Sequence, residues 1–129
     1  MTETAPPSGE LTLRTLAMPA DANPAGDIFG GWVMSQMDLA AGIRAGERAR
    51  CRVVTAAVKE MTFEKPVKVG DTLSIYTEIA RTGRTSLTLS VEAWVHRMRY
   101  GGLEKVTGAT FIMVAMDENR NPMPLPPEA

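Results

Sequence analysis

The chain has 129 residues and a mass of 14.0 kDa, the size of one domain, and its 44% hydrophobic and 22% charged residues exclude a wholly disordered chain. Fourteen basic against fifteen acidic side chains leave a net charge of -1, which argues against a protein whose main partner is a bare nucleic-acid backbone. The single cysteine, Cys51, and the single histidine, His96, exclude an internal disulfide, a multi-cysteine metal site and a histidine cluster within one chain.

Residues 1–9 are small, polar and Pro-containing and read as a flexible N-terminal tail. They carry no basic stretch followed by an apolar run, so no secretory leader is visible. No apolar segment reaches the length needed to span a bilayer. A cytoplasmic protein with no membrane partner is expected. Residues 10–118 form the domain, and the Pro-rich residues 119–129 form an irregular C-terminal tail, because proline has no amide donor for a ladder.

Within the domain, Glu10 to Met18 alternates, with Leu11, Leu13, Thr15 and Ala17 on one side, and predicts a first strand. Pro19 to Gly26 is a loop by composition. From Trp32 to Ile43 the polar side chains are Ser35, Gln36 and Asp38, and Met34, Met37 and Ala41 recur at helical spacing. A helix apolar on nearly all sides is a buried helix, and this one should fray near Gly46. Val53 to Phe63 predicts a strand and Glu64 to Asp71 a polar turn. Thr72 to Ala80 predicts a strand with Leu73, Ile75 and Ile79 on one face. Arg81 to Arg84 is a hairpin turn in which Gly83 permits positive φ. Thr85 to Val95 alternates, with Leu87, Leu89, Val91, Ala93 and Val95 on one face and Thr88, Ser90, Glu92, Trp94 and His96 on the solvent face. After a turn at Tyr100 to Gly102, Lys105 to Met116 is the last strand. One buried helix wrapped by antiparallel strands with short turns is an α+β arrangement.

Asp38 is the most informative residue. A carboxylate in an otherwise apolar helix is costly unless it is paired or opens into a cleft. Its helical neighbours include Gly31 and Gly42, which leave room for something to approach. A structural carboxylate satisfied by backbone amides or a partner chain is the alternative. The Gly30-Gly31 pair at the helix start would present free amides at the positive end of the helix dipole, where a developing negative charge is stabilised. Close packing of the helix on the sheet explains such a pair as well. Gly31 and Asp38 lie roughly 10 Å apart along a helix axis, too far to serve one reacting centre from the same chain. A site shared between two chains resolves this. Asn23 could bind a water or a carbonyl, although turn-making is the commoner role of such a residue. Asp27 reads as a cap or a tie for the loop. Arg84, Thr85 and Ser86 could hold a phosphate, while solvated surface is the more frequent reading of any one of them. Cys51 and His96 sit in no catalytic motif.

The run Leu13 to Asp38, with its Asn23-x-x-Gly26-Asp27-x-x-Gly30-Gly31-Trp32…Asp38 pattern, resembles the hotdog-fold acyl-CoA thioesterases of the bacterial YciA type, related to cytosolic long-chain acyl-CoA hydrolases of animals. The resemblance continues through Arg52 to Asp71 and Gly83-Arg84-Thr85-Ser86, and more weakly to Asp117. It implies a hotdog fold, a long central helix wrapped by a five-stranded antiparallel sheet. It implies hydrolysis of acyl-CoA to a free acid and CoA in fatty acid metabolism, with neither metal nor organic cofactor. It implies homodimers with sites at their interface, assembled as trimers of dimers into hexamers. The catalytic aspartate of the family falls on Asp38, its asparagine on Asn23 from the facing subunit, and its carbonyl-polarising amide on Gly30 or Gly31. Gly30, Arg84, Thr85 and Ser86 are then expected near CoA. Two rivals use the same pocket. An enoyl-CoA hydratase would want a histidine beside the aspartate, and His96 lies on the wrong stretch of chain. A non-catalytic acyl-CoA-binding regulator differs only in activity.

Overall fold

A computed structural model describes residues 5–97 and 102–128. The turn expected at Tyr100 to Gly102 falls mostly outside the described residues, as do the first four residues of the N-terminal tail. The alternation in the fourth strand decides the core: Leu87, Leu89, Val91, Ala93 and Val95 are all completely buried. They belong to one apolar cluster with Leu73, Ile75, Val106, Phe111 and Met113 from the neighbouring strands and with one side of the helix.

The elements are β1 (Glu10–Leu16), α1 (Gly30–Ala49), β2 (Arg52–Phe63), β3 (Thr72–Thr82), β4 (Ser86–His96) and β5 (Leu103–Met116). They make a single antiparallel sheet in the order β1-β3-β4-β5-β2, with α1 packed on one face. The hotdog expectation of one long helix against five antiparallel strands is met. Strand β2, next in sequence to β3, lies at the far edge beside β5. The polar segment 64–71 is therefore a crossing between sheet positions and not a hairpin. It is held by a bond from Ile28 N to Val67 O of 2.9 Å and by two bonds to Ala17, one from Gly70 N and one reaching Asp71 O.

The helix begins two residues before Trp32 and runs on to Ala49, past Gly46. Arg50 ends it in the left-handed region at φ 54, donating to Gly46 O. The helix is not buried on all sides. Val33, Met37, Ala40, Ala41, Ala45 and Ala49 face the sheet, while Met34, Leu39 and Ile43 are 42%, 55% and 45% exposed. One sheet covers one side of a helix; the apolar residues of the other side have no cover among the described residues. Trp94 also departs from expectation. Although on the face opposite the core, it is buried, with its indole N–H donating to Glu92 Oε1 at 2.9 Å. Gly83 is not at positive φ. A Cβ there would stand 2.8 Å from Ser86 Oγ, so a side chain at this position would require the Ser86 hydroxyl to turn aside.

The C-terminal segment is irregular but docked. Asp117 Oδ1 accepts from Asn119 N and Asn121 N, which reverses the chain. Met123 and Leu125 then pack on the core. Truncating Leu89, completely buried at the sheet centre, to alanine should lower unfolding free energy by about 2–5 kcal/mol in chemical denaturation.

Candidate active site

The loop between β1 and α1 is built by its own polar side chains. Pro19 opens a short 3-10 turn, Pro19–Asp21, and Asp21 Oδ2 accepts from Met18 N at 3.2 Å. Asn23 Oδ1 accepts from Ala25 N at 3.0 Å and from Asp27 N at 3.1 Å, and Gly26 takes φ +91, the turn geometry that Asn and Gly favour. The Asn23 Nδ2 donors are not spent on these bonds. Asp27 does not cap the helix. Its carboxylate takes the Lys68 ammonium instead, which fastens the loop to segment 64–71.

This loop delivers α1 with a bare N-terminus. The N-cap is Phe29, which offers no side-chain acceptor, and the first intrahelical bonds run from Trp32 N and Val33 N to Phe29 O. The Gly30 and Gly31 amides thus precede the first intrahelical donors, at the positive end of a 20-residue helix dipole. The two glycines differ. A Cβ on Gly30 would touch the Phe63 ring at 3.4 Å, whereas a Cβ on Gly31 would meet nothing within 4 Å. Packing therefore explains Gly30 in part and does not explain Gly31. Gly42, one turn past Asp38, is equally open.

Asp38 sits on the uncovered side of α1 and is exposed. Thr55 on β2 donates from Oγ1 to Asp38 Oδ1 at 2.5 Å, which leaves Oδ2 as the oxygen free to take a second donor. The pair lines an open, mostly apolar groove of about 390 Å³ with Gly31, Met34, Ser35, Val58 and Phe111. Asn23 and Gly30 lie in a different groove, of about 400 Å³, with Asp27, Val33, Phe63, Glu64 and Lys65 among its walls. Gly31 and Asp38, spaced too far apart on one helix to act on one atom, nevertheless border one groove. Arg84, Thr85 and Ser86 belong to neither groove. They form the β3–β4 turn, with Arg84 exposed. His96 stands elsewhere again, near Arg14, Thr72 and Leu103. Among the described residues no group of three or more His, Cys, Asp or Glu is placed to hold a metal, and no helix is long and apolar enough to cross a membrane.

Thr55 is the residue that sequence reasoning missed. The signal available was its place as the one polar side chain in the run Val53 to Val58.

Four likenesses to known proteins bear on this arrangement. The profile of the Thioesterase superfamily matches residues 25–100. The acyl-CoA thioester hydrolase YciA of Salmonella typhimurium is 51% identical over 123 residues, covering 93% of this chain and 92% of that protein. A hexameric thioesterase from Yersinia pestis superposes with a TM-score of 0.90 at 51% identity, covering 95% of this chain and 99% of the other. A hexameric broad-specificity acyl-coenzyme A thioesterase, solved as an aspartate-to-alanine variant, superposes with a TM-score of 0.91 at 47% identity over 94% of this chain and 89% of that one.

The loop geometry yields a prediction of its own. Asn23→Ala removes the acceptor of two hydrogen bonds and should cost about 1–2 kcal/mol of stability. Asn23→Asp keeps the acceptor and should unfold near the wild-type denaturant midpoint.

Proposed function

The chain belongs to the thioesterase superfamily, in its YciA branch, and we propose from that membership that it hydrolyses acyl-CoA to a carboxylic acid and coenzyme A at a site built by two copies. The observation that carries the reading is the Asp38 carboxylate, held at one oxygen by Thr55 and open at the other, in an apolar groove.

In this scheme Asp38 Oδ2 accepts a proton from water as its oxygen attacks the thioester carbonyl carbon. The carbonyl oxygen gains negative charge and is met by the Gly31 amide of the facing copy, with Gly30 beside it, at the uncapped end of that copy's α1. The C–S bond then breaks. The CoA thiolate leaves, and the proton held on Asp38 is given up to it or to solvent. Thiolates leave readily, so the scheme asks for neither a strong general acid nor a metal or organic cofactor. Thr55 fixes the rotation of the carboxylate so that one oxygen faces the groove. Asn23 orients water or thioester through its Nδ2.

The separation of the two grooves supports a shared site. Among the described residues β2 is an edge strand paired only with β5, so its outer N–H and C=O groups are open to a second strand. Thr55 borders the Asp38 groove and Phe63 the Asn23 groove. Lys59 lies midway between them, so antiparallel pairing of two β2 strands about Lys59 sets each copy's Asp38 groove against the other copy's Asn23 groove. The same contact covers Met34, Val58 and Phe63, each exposed in the single chain. Three such dimers make a hexamer, the state of the similar thioesterases of known structure. A cytoplasmic location fits the single unpaired Cys51.

Free-thiol release from short, medium and long acyl-CoAs tests the proposal. Asp38→Asn should fold and lose turnover by about 10²–10⁴-fold, and Thr55→Val should lose about tenfold. Mixing inactive Asp38→Ala with inactive Asn23→Asp chains should restore activity, because a mixed dimer holds one site with both native residues. No thiol release by the folded wild type would leave a binding role for the same pocket.

A further inference from the structure

The Pro-rich segment that follows β5 reaches the β3–β4 turn. After the reversal at Asp117, Met123 N donates to Ala115 O at 2.9 Å and Leu125 N donates to Arg84 O at 2.8 Å. At its end, Arg48 Nη1 on the last turn of α1 donates to Pro126 O at 2.7 Å, and Arg48 Nε stands 3.7 Å from Glu128 Oε1. The segment therefore ties the β3–β4 turn to the helix that carries Asp38.

The effect on the turn is specific. Both carbonyls that precede Ser86 are engaged: Arg84 O by Leu125 N, and Thr85 O by Ala115 N at 2.9 Å. Carbonyl oxygens repel a phosphate, whereas a guanidinium and hydroxyls attract it. These two oxygens are bonded to the fold and so do not face a phosphate brought to the Arg84, Thr85 and Ser86 side chains. Of the two donors, Ala115 N belongs to the sheet, while Leu125 N exists only because the C-terminal segment returns.

We propose that residues 122–128 are a positioning strap that holds the β3–β4 turn in the form that receives the phosphate-bearing end of CoA. The strap acts through the turn and touches no reacting atom. It rests on the acyl-CoA reading above. Leu125 and Arg48 are its two fastenings.

Leu125→Pro deletes the one amide donor and keeps an apolar side chain; Leu125→Ala keeps the donor and shortens the side chain. Each is assayed on an acyl-CoA and on the same acyl group carried by N-acetylcysteamine, which has no phosphates. Leu125→Pro should raise KM for the acyl-CoA about tenfold, the worth of one hydrogen bond. It should leave kcat and the N-acetylcysteamine thioester unchanged, and Leu125→Ala should keep the wild-type KM. Equal losses on both substrates, or an unaltered KM for acyl-CoA, would overturn the strap. Hydrogen exchange on the wild type needs no variant: CoA alone should slow the Leu125 amide about tenfold, and an unchanged rate rejects the proposal. A wild type that releases thiol from neither substrate would count against the thioesterase reading, while the exchange result still decides the strap.

Discussion

A single five-stranded sheet can cover one side of a 20-residue helix and no more. On the covered side of α1 four of the six buried residues are alanines, Ala40, Ala41, Ala45 and Ala49, and small side chains let the helix lie close to the strands. On the other side stand Met34, Leu39 and Ile43, with Asp38 and the open Gly31 and Gly42 among them. The rest of the molecule answers to that division. The core is settled within one chain, and the chemistry is assigned to the side the chain leaves unfinished. Burying those apolar residues against a second copy and enclosing the carboxylate are, in the proposed dimer, the same event.

The polar groups around the site are held by short-range bonds, which keeps them stiff before any substrate arrives. Asn23 closes its own turn, Asp27 is fastened to Lys68, and Asp38 is steadied by Thr55. A loop fixed in this way presents the uncapped helix end in one orientation. Donors that need no rearrangement stabilise developing charge more effectively than mobile ones. The absence of a capping side chain at Phe29 costs the helix about 1 kcal/mol, the worth of an ordinary cap. In return the amides at that end remain available.

Much of this was legible in the residues. Strict alternation placed the inward faces of β3 and β4, and the anomaly of one carboxylate in an apolar helix singled out Asp38. Alternation failed at Trp94, because a period of two reports which face a side chain takes and not that Glu92 and its neighbours cover that face. Helical periodicity found α1 but overstated its burial, since an apolar residue reads the same whether a strand or another copy covers it. Chain order suggested that β2 and β3 are neighbours; the pairing of β2 with β5 depends on contacts far apart in sequence. Thr55 was silent because a threonine is an ordinary strand residue, and its bond to Asp38 exists only once the helix lies across the edge strand. Gly83 was recognised as a turn residue for the wrong reason: its backbone angle needs no glycine, and what stands close to a Cβ there is the Ser86 hydroxyl, which can rotate away.

The alternation of prolines in the C-terminal segment has a consequence for the protein in a crowded solution. Met123 and Leu125 spend their amides inward, and the positions between and beside them, Pro122, Pro124 and Pro126, have none to spend. The outer border of that segment can accept hydrogen bonds but cannot donate them. A stray strand from an unfolded chain would find half of any ladder missing and gain little by adding there. The sheet is thus guarded against aggregation at one corner by backbone chemistry, while its β2 edge is left fit for pairing.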